Sequence, residues 1–274
     1  MTQTVTIDGP APLTGTFFEA DTPRAVAVLN GATGVPHRFY RHFAAWLAET
    51  QDVSCLIYDY RDFGASACGP VRDVTASMLD WGLSDTQAAR DWLEARATGL
   101  PVWLMGHSLG GLMLARHQRT QDIARVITVC TGPVHTTDHP WPFQATVRAL
   151  WFVVGPLSMA TFGYVPKQVS GLGSDIPGPV FKQWKRWCTT RGYPAKDPCI
   201  PAAPMAAFSC PVRTVSLSDD TSVPPNAVAR MTELYPGTNT EHLALTPQQF
   251  GLKKVGHIDA FRPENARLWP ALIA

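Results

Sequence analysis

The stretch Val102-Trp103-Leu104-Met105-Gly106-His107-Ser108-Leu109-Gly110-Gly111-Leu112-Met113-Leu114 decides the fold. Its apolar opening reads as a buried strand, its G-x-S-x-G run as a sharp turn, and the residues from Leu109 onward as a helix. In that setting the turn is a nucleophile elbow. Ser108 must adopt a strained backbone to present its hydroxyl, and side chains two positions before and after it would strike neighbouring elements. Gly106 and Gly110 remove those side chains. The helix that starts near Leu109 turns free N–H groups and its positive end toward charge developing on a substrate carbonyl, which makes the Leu109 amide an expected oxyanion donor.

Outward from this stretch, short apolar or β-branched runs at 25–29, 53–58, 102–105, 126–129 and 212–217 read as buried strands. Helical patterns occupy 37–50, 78–97, 109–119 and 226–234. The alternation predicts an α/β fold: a mostly parallel, doubly wound sheet with helices on both faces and ligands at the carboxyl ends of its strands. The first 24 residues suggest an antiparallel lead-in hairpin turning near Asp8-Gly9-Pro10. From about residue 133 to 211 strand-like runs vanish, Pro and Gly become dense, and Trp141, Trp151, Trp184 and Trp187 cluster. An insertion of that length between core strands reads as a cap over a site. The expected division is therefore a core of 1–132 and 212–274 with a cap of 133–211.

The 274 residues are 45% hydrophobic and 16% charged with a formal charge of +1, an ordinary globular composition without blocks of like charge. Nothing in that average draws the chain toward nucleic acid or an anionic membrane, and a small-molecule substrate is expected as its partner. Its start lacks a basic stretch followed by an apolar run, so no secretory signal is expected. Residues 149–166 carry no charge, which reaches the lower limit for a spanning helix. Gly155-Pro156 is expected to break that stretch, Arg148 and Lys167 flank it, and no stable membrane insertion is expected. Six cysteines without a C-x-x-C pair suggest free thiols and a cytoplasmic location.

A serine nucleophile needs a base. Among the eight histidines, His257 follows the last strand-like stretch, precedes a terminal helical segment and has Gly256 before it to turn the loop. The carboxylate that would orient it should follow the strand at 212–217, where Asp219 and Asp220 both qualify chemically. His135 and His139 stand four apart with Asp138 between, a spacing found on some metal-binding helices. Pro133 and Pro140 work against a helix there, so a loop or pocket-lining role is expected, with no metal and no cofactor.

Taken in order, the Asn30-Gly31-Ala32-Thr33-Gly34-Val35-Pro36 loop, Asp59-Tyr60-Arg61-Asp62-Phe63-Gly64-Ala65-Ser66, the Ser108 elbow, the loop at Asp220 and His257 resemble the α/β-hydrolase superfamily over nearly the whole chain. With Phe39-Tyr40 and Phe261, they look like a bacterial subgroup of predicted serine hydrolases with little defined biochemistry. The resemblance favours Asp220 as the acid, because it opens a D-x-x-V-P run like the loop that often follows this strand in such proteins. It makes Ala32 the second oxyanion donor, with Asn30 where many relatives carry histidine. Asp62 departs from the pattern, since relatives usually have glycine there.

The implied activity is hydrolysis of an ester-like bond, a carboxylic ester or thioester, through an acyl-enzyme on Ser108. Trp141, Trp151, Phe152 and Trp184 are expected to contact a partly apolar substrate. An acyltransferase with the same triad and a catalytically silent binding protein of the same fold are the rival readings.

Overall fold

The computed structural model describes residues 1–200, 208–235 and 239–274. The final stretch of the expected cap, 201–207, thus lies outside the described residues. Eight strands, β1 (Thr2–Ile7), β2 (Leu13–Phe18), β3 (Ala25–Asn30), β4 (Val53–Tyr58), β5 (Val102–His107), β6 (Ile123–Val129), β7 (Val212–Leu217) and β8 (Thr240–Leu245), form one sheet in the order β1-β2-β4-β3-β5-β6-β7-β8. The first two strands form the expected antiparallel hairpin, Ile7 opposite Leu13, and β2 pairs antiparallel with β4. From β4 to β8 every pairing is parallel.

Among the described residues the α-helices are α1 (Arg41–Thr50), α2 (Thr86–Arg96), α3 (Leu109–Leu112), α4 (Phe143–Ala149), α5 (Gly155–Phe162), α6 (Lys167–Ser170), α7 (Gly178–Thr189), α8 (Pro225–Ala229) and α9 (Trp269–Ile273). Every residue of β3, β4 and β5 is buried, which explains why these strands read as unbroken apolar runs: both sheet faces are covered. Successive side chains alternate between two cores. Val26, Val28 and Leu104 face Trp81 and Leu93 on one side, while Ala27, Leu29 and Met105 face Phe43, Leu47, Phe261 and Leu272 on the other.

Two helices depart from expectation. The regular helix after the elbow spans only Leu109–Leu112, with a 3-10 turn at Leu114–Arg116, rather than 109–119. Gly110 and Gly111 weaken it, and Arg119 adopts a left-handed backbone, φ 54°, that a continuous helix excludes, while the buried Arg90 guanidinium bonds the carbonyls of Gln118 and Arg119. Conversely, Gly155-Pro156 does not break the apolar stretch. A π-helical turn, Leu150–Val154, joins α4 to α5 into one helix from Phe143 to Phe162. A wider turn absorbs the amide that proline lacks. Gly155 lets Phe181 of α7 approach where a Cβ would lie 2.2 Å from its ring.

The segment between β6 and β7 carries α4 to α7 and lies over the carboxyl ends of the central strands, where it shares a cavity with Ser108.

Candidate active site

Ser108 follows β5 directly and sits at φ 54°, ψ −117°, a strained conformation for a non-glycine residue. Backbone packing requires its flanking glycines. A Cβ at Gly106 would lie 2.4 Å from the Gly110 carbonyl oxygen, and one at Gly110 would lie 2.1 Å from the Asn30 carbonyl oxygen. The Leu109 amide is the first of α3 and has no helical carbonyl before it to bond, so it is available beside the Ser108 hydroxyl.

His257 lies 149 residues further on, yet its Nε2 is 3.1 Å from the Ser108 Oγ. The loop between β7 and α8 brings a carboxylate to this ring: Asp220 Oδ2 accepts from His257 Nδ1–H at 2.8 Å, and Oδ1 accepts the Ser222 and Val223 amides at 2.8 and 2.9 Å. Burial alone would raise this carboxyl's pKa. The facing His257 and the two amides outweigh it and hold the pKa below the ordinary carboxylate range. Asp219 instead accepts the Val255 and Gly256 amides at 2.7 and 3.0 Å, clamping the loop that carries His257. The buried Cys130 thiol lies beneath the acid. Burial first, and then the Asp220 charge, push its pKa well above the usual thiol value, so it remains neutral.

The sequence marks Tyr40 only as part of the resemblance and assigns no bridging role to it or to His107. Tyr40 lies in no motif that assigns it a partner, and its contact with His107 spans 67 positions. The Tyr40 hydroxyl donates to His107 Nδ1 at 2.8 Å, and His107 Nε2–H donates to the His257 carbonyl at 3.0 Å. A carbonyl can only accept, which fixes this tautomer. Burial lowers the His107 pKa to about 3, so the ring is a neutral bridge from the end of β5 to the loop that carries His257.

The same network corrects one expectation. The Ala32 N–H donates to the Tyr40 hydroxyl at 2.8 Å, so this amide is engaged and could serve an oxyanion only by exchanging that bond. Asn30 is an internal tie: its Nδ2 donates to the Met105 carbonyl and its Oδ1 accepts from Tyr58.

Above Ser108 lies a cavity of about 200 Å³. Trp151 and Trp184 line it, together with Phe143, Leu150, Leu172 and Trp187. Trp141 and Phe152 do not. They are 79% and 56% exposed on the outer side of the inserted segment, which corrects the expectation that they contact substrate. Helical geometry gives the reason for Phe152: Val147 and Trp151 occupy the buried face of their helix, and its next residue points away. His139 lines the cavity and donates from Nδ1 to the Thr221 carbonyl, whereas the His135 ring bonds Thr137, so the two rings serve different neighbours. No charged side chain lines the cavity among the described residues.

The sheet order, the strained serine after β5 and the hydrogen-bonded Ser108–His257–Asp220 series at the strands' carboxyl ends together define an α/β-hydrolase fold. The chain belongs to the alpha/beta hydrolase family, whose sequence pattern matches residues 26–267. No curated protein sequence matches it significantly. Among solved structures it is similar to the alpha/beta hydrolase GrgF from Penicillium sp. sh18, with a TM-score of 0.64 and 17% identity over 99% of this chain and 96% of that one. A thermophilic esterase from Thermogutta terrifontis gives 0.56 and 16% identity over 98% and 96%. An α/β serine hydrolase without a lid from Xanthomonas campestris gives 0.55 and 14% over 99% and 91%. At these identities the likeness is one of fold.

Proposed function

We propose that this hydrolase cleaves an ester-like bond, carboxylic ester or thioester, of a small uncharged and partly apolar substrate through an acyl-enzyme on Ser108. The observation that carries the reading is the continuous hydrogen-bonded series from Ser108 through His257 to Asp220, opening into a cavity without charged walls. His257 Nε2 takes the Ser108 proton as the oxygen attacks the substrate carbonyl, and the Asp220 carboxylate stabilises the resulting imidazolium. The Leu109 amide donates to the oxyanion. His257 then protonates the leaving alcohol or thiol, and the same base activates water to release the acid.

In this reading α4 to α7 act as a cap, and Trp151 and Trp184 contact the acyl or alcohol portion. Free cysteines suit a reducing compartment, and the cytoplasm is the proposed location.

A fluorophosphonate probe and p-nitrophenyl esters of increasing chain length test the proposal. Labelling is expected at Ser108. Turnover is expected to fall by roughly 10³-fold or more in Ser108→Ala and in His257→Ala. Full turnover by Ser108→Ala would overturn the mechanism, and preferential transfer to an added alcohol would identify an acyltransferase.

A further inference from the structure

Among the described residues, every exposed large apolar side chain except Met1 lies between positions 141 and 162: Trp141, Phe152, Val153, Val154, Leu157 and Phe162. Five of these are on the helix Phe143–Phe162, the only described helix long and apolar enough to cross a membrane by length and composition. That helix is apolar on two sides. Phe143, Val147, Leu150 and Trp151 face the cavity, while Leu157, 62% exposed, shares the outer side with Phe152 and Val153. An apolar face of this kind left to water marks an interaction surface.

The surrounding charge selects the partner. Arg148 on this helix and Lys182, Lys185 and Arg186 on α7 are cationic, and neither helix contains Asp or Glu. The Lys185 Nζ lies 5.5 Å from the Phe152 ring centre, so positive charge borders the apolar face itself. A second copy packed on this face would bring like charges together with no carboxylate on either helix to neutralise them. An anionic lipid surface supplies both an apolar phase and negative headgroups. The average charge of the whole chain, +1, conceals this local imbalance.

We propose that the outer face of the Phe143–Phe162 helix docks on an anionic lipid surface, lying in the headgroup plane rather than crossing it. Its inner face continues to roof the cavity, so an apolar substrate dissolved in the lipid reaches the site by passing one helix. That use rests on the ester-cleaving function proposed above; the docking does not.

Sedimentation with vesicles of phosphatidylcholine alone, or with about one-third phosphatidylglycerol, tests the docking, using the protein and its Ser108→Ala variant so that binding is read apart from catalysis. Both are expected to bind the anionic vesicles and to release at high salt. The double variant Val153→Glu, Leu157→Glu is expected to lose at least about tenfold in binding, and Lys182→Ala about fivefold. Melting temperature and turnover of a water-soluble short-chain ester are expected to stay unchanged in these surface variants. Failure of the parent protein to sediment with anionic vesicles, or equal sedimentation of the double variant, overturns the proposal. So does a solution dimer that the double variant dissolves, which would assign the face to a second copy.

Discussion

At the scale of single residues, adjacent carboxylates have separate tasks. Asp220 bonds the ring of His257 and Asp219 bonds the backbone before it. An Asp220→Asn variant keeps the size but offers a neutral group to His257 Nδ1, which removes the charge that stabilises the imidazolium. Its kcat on a soluble ester is expected to fall roughly 10³- to 10⁴-fold with KM little changed. Asp219→Ala loses two charge-assisted bonds to amides, so it is expected to lower stability by about 2 kcal/mol and kcat by a smaller factor, about 10- to 100-fold. Steady-state kinetics with urea denaturation on both variants decides the assignment. A larger kcat loss in Asp219→Ala than in Asp220→Asn would transfer the acid's role to Asp219.

At the scale of elements, the close approach of α3 to the end of β3 depends on the bare backbone of Gly110 meeting the Asn30 carbonyl. Ala at position 110 would place its Cβ 2.1 Å from the Asn30 carbonyl oxygen, and backbone cannot yield as a side-chain tip can. Gly110→Ala is expected to destabilise the protein by about 3 kcal/mol and to displace the Leu109 amide. Gly69→Ala is the control, because nothing lies within 4 Å of its Cβ and it should remain within about 0.5 kcal/mol of the parent. Equal urea midpoints for the two variants would refute this account of the elbow.

The same elements show what the sequence made legible. Buried strands were readable because β3, β4 and β5 are covered on both faces and need apolar residues at each position, and Ser108, His257 and Asp220 occupy loops whose order along the chain is characteristic. The Tyr40–His107 bridge was not readable, since it joins a helix start to a strand end through packing alone. The helix runs on through Gly155-Pro156 where the sequence predicts a break, because local propensity contains no signal for a π-helical turn. Phe152 lies outside the cavity because aromatic content does not tell which face of a helix looks inward, and Trp141 because it stands in the turn before α4, which no periodicity orients.

At the scale of the whole molecule, buried histidines tie stability to pH. Burial lowers the pKa of His107 to about 3 and that of His117 to about 4, whereas in the unfolded chain both titrate near 6.5. As pH falls through about 6.5 the unfolded chain binds protons that the folded one refuses, so stability present above that pH is lost progressively down to pH 3–4. The depressed pKa of Asp220 adds to the loss at the acid end. Asp85 opposes it: burial, only partly offset by Arg61, raises its pKa to about 6, so its contribution is present at low pH and is lost as pH rises through 6. The downward shifts of His107, His117 and Asp220, joined by those that burial gives His139 and His242, outweigh the upward shift of Asp85, and the free energy of unfolding is expected to decrease from pH 7 to pH 4.5. His117 lies away from the catalytic groups, with Nε2–H donating to the Gly82 carbonyl at 3.0 Å, a bond that a glutamine amide can replace. Urea unfolding of His117→Gln across that range is expected to show a shallower decline than the parent while ester turnover at pH 7 is retained. Identical slopes would mean that His117 titrates alike in the folded and unfolded chains, and the acid sensitivity would then have to come from other groups with lowered pKa values, His107 and Asp220 among them.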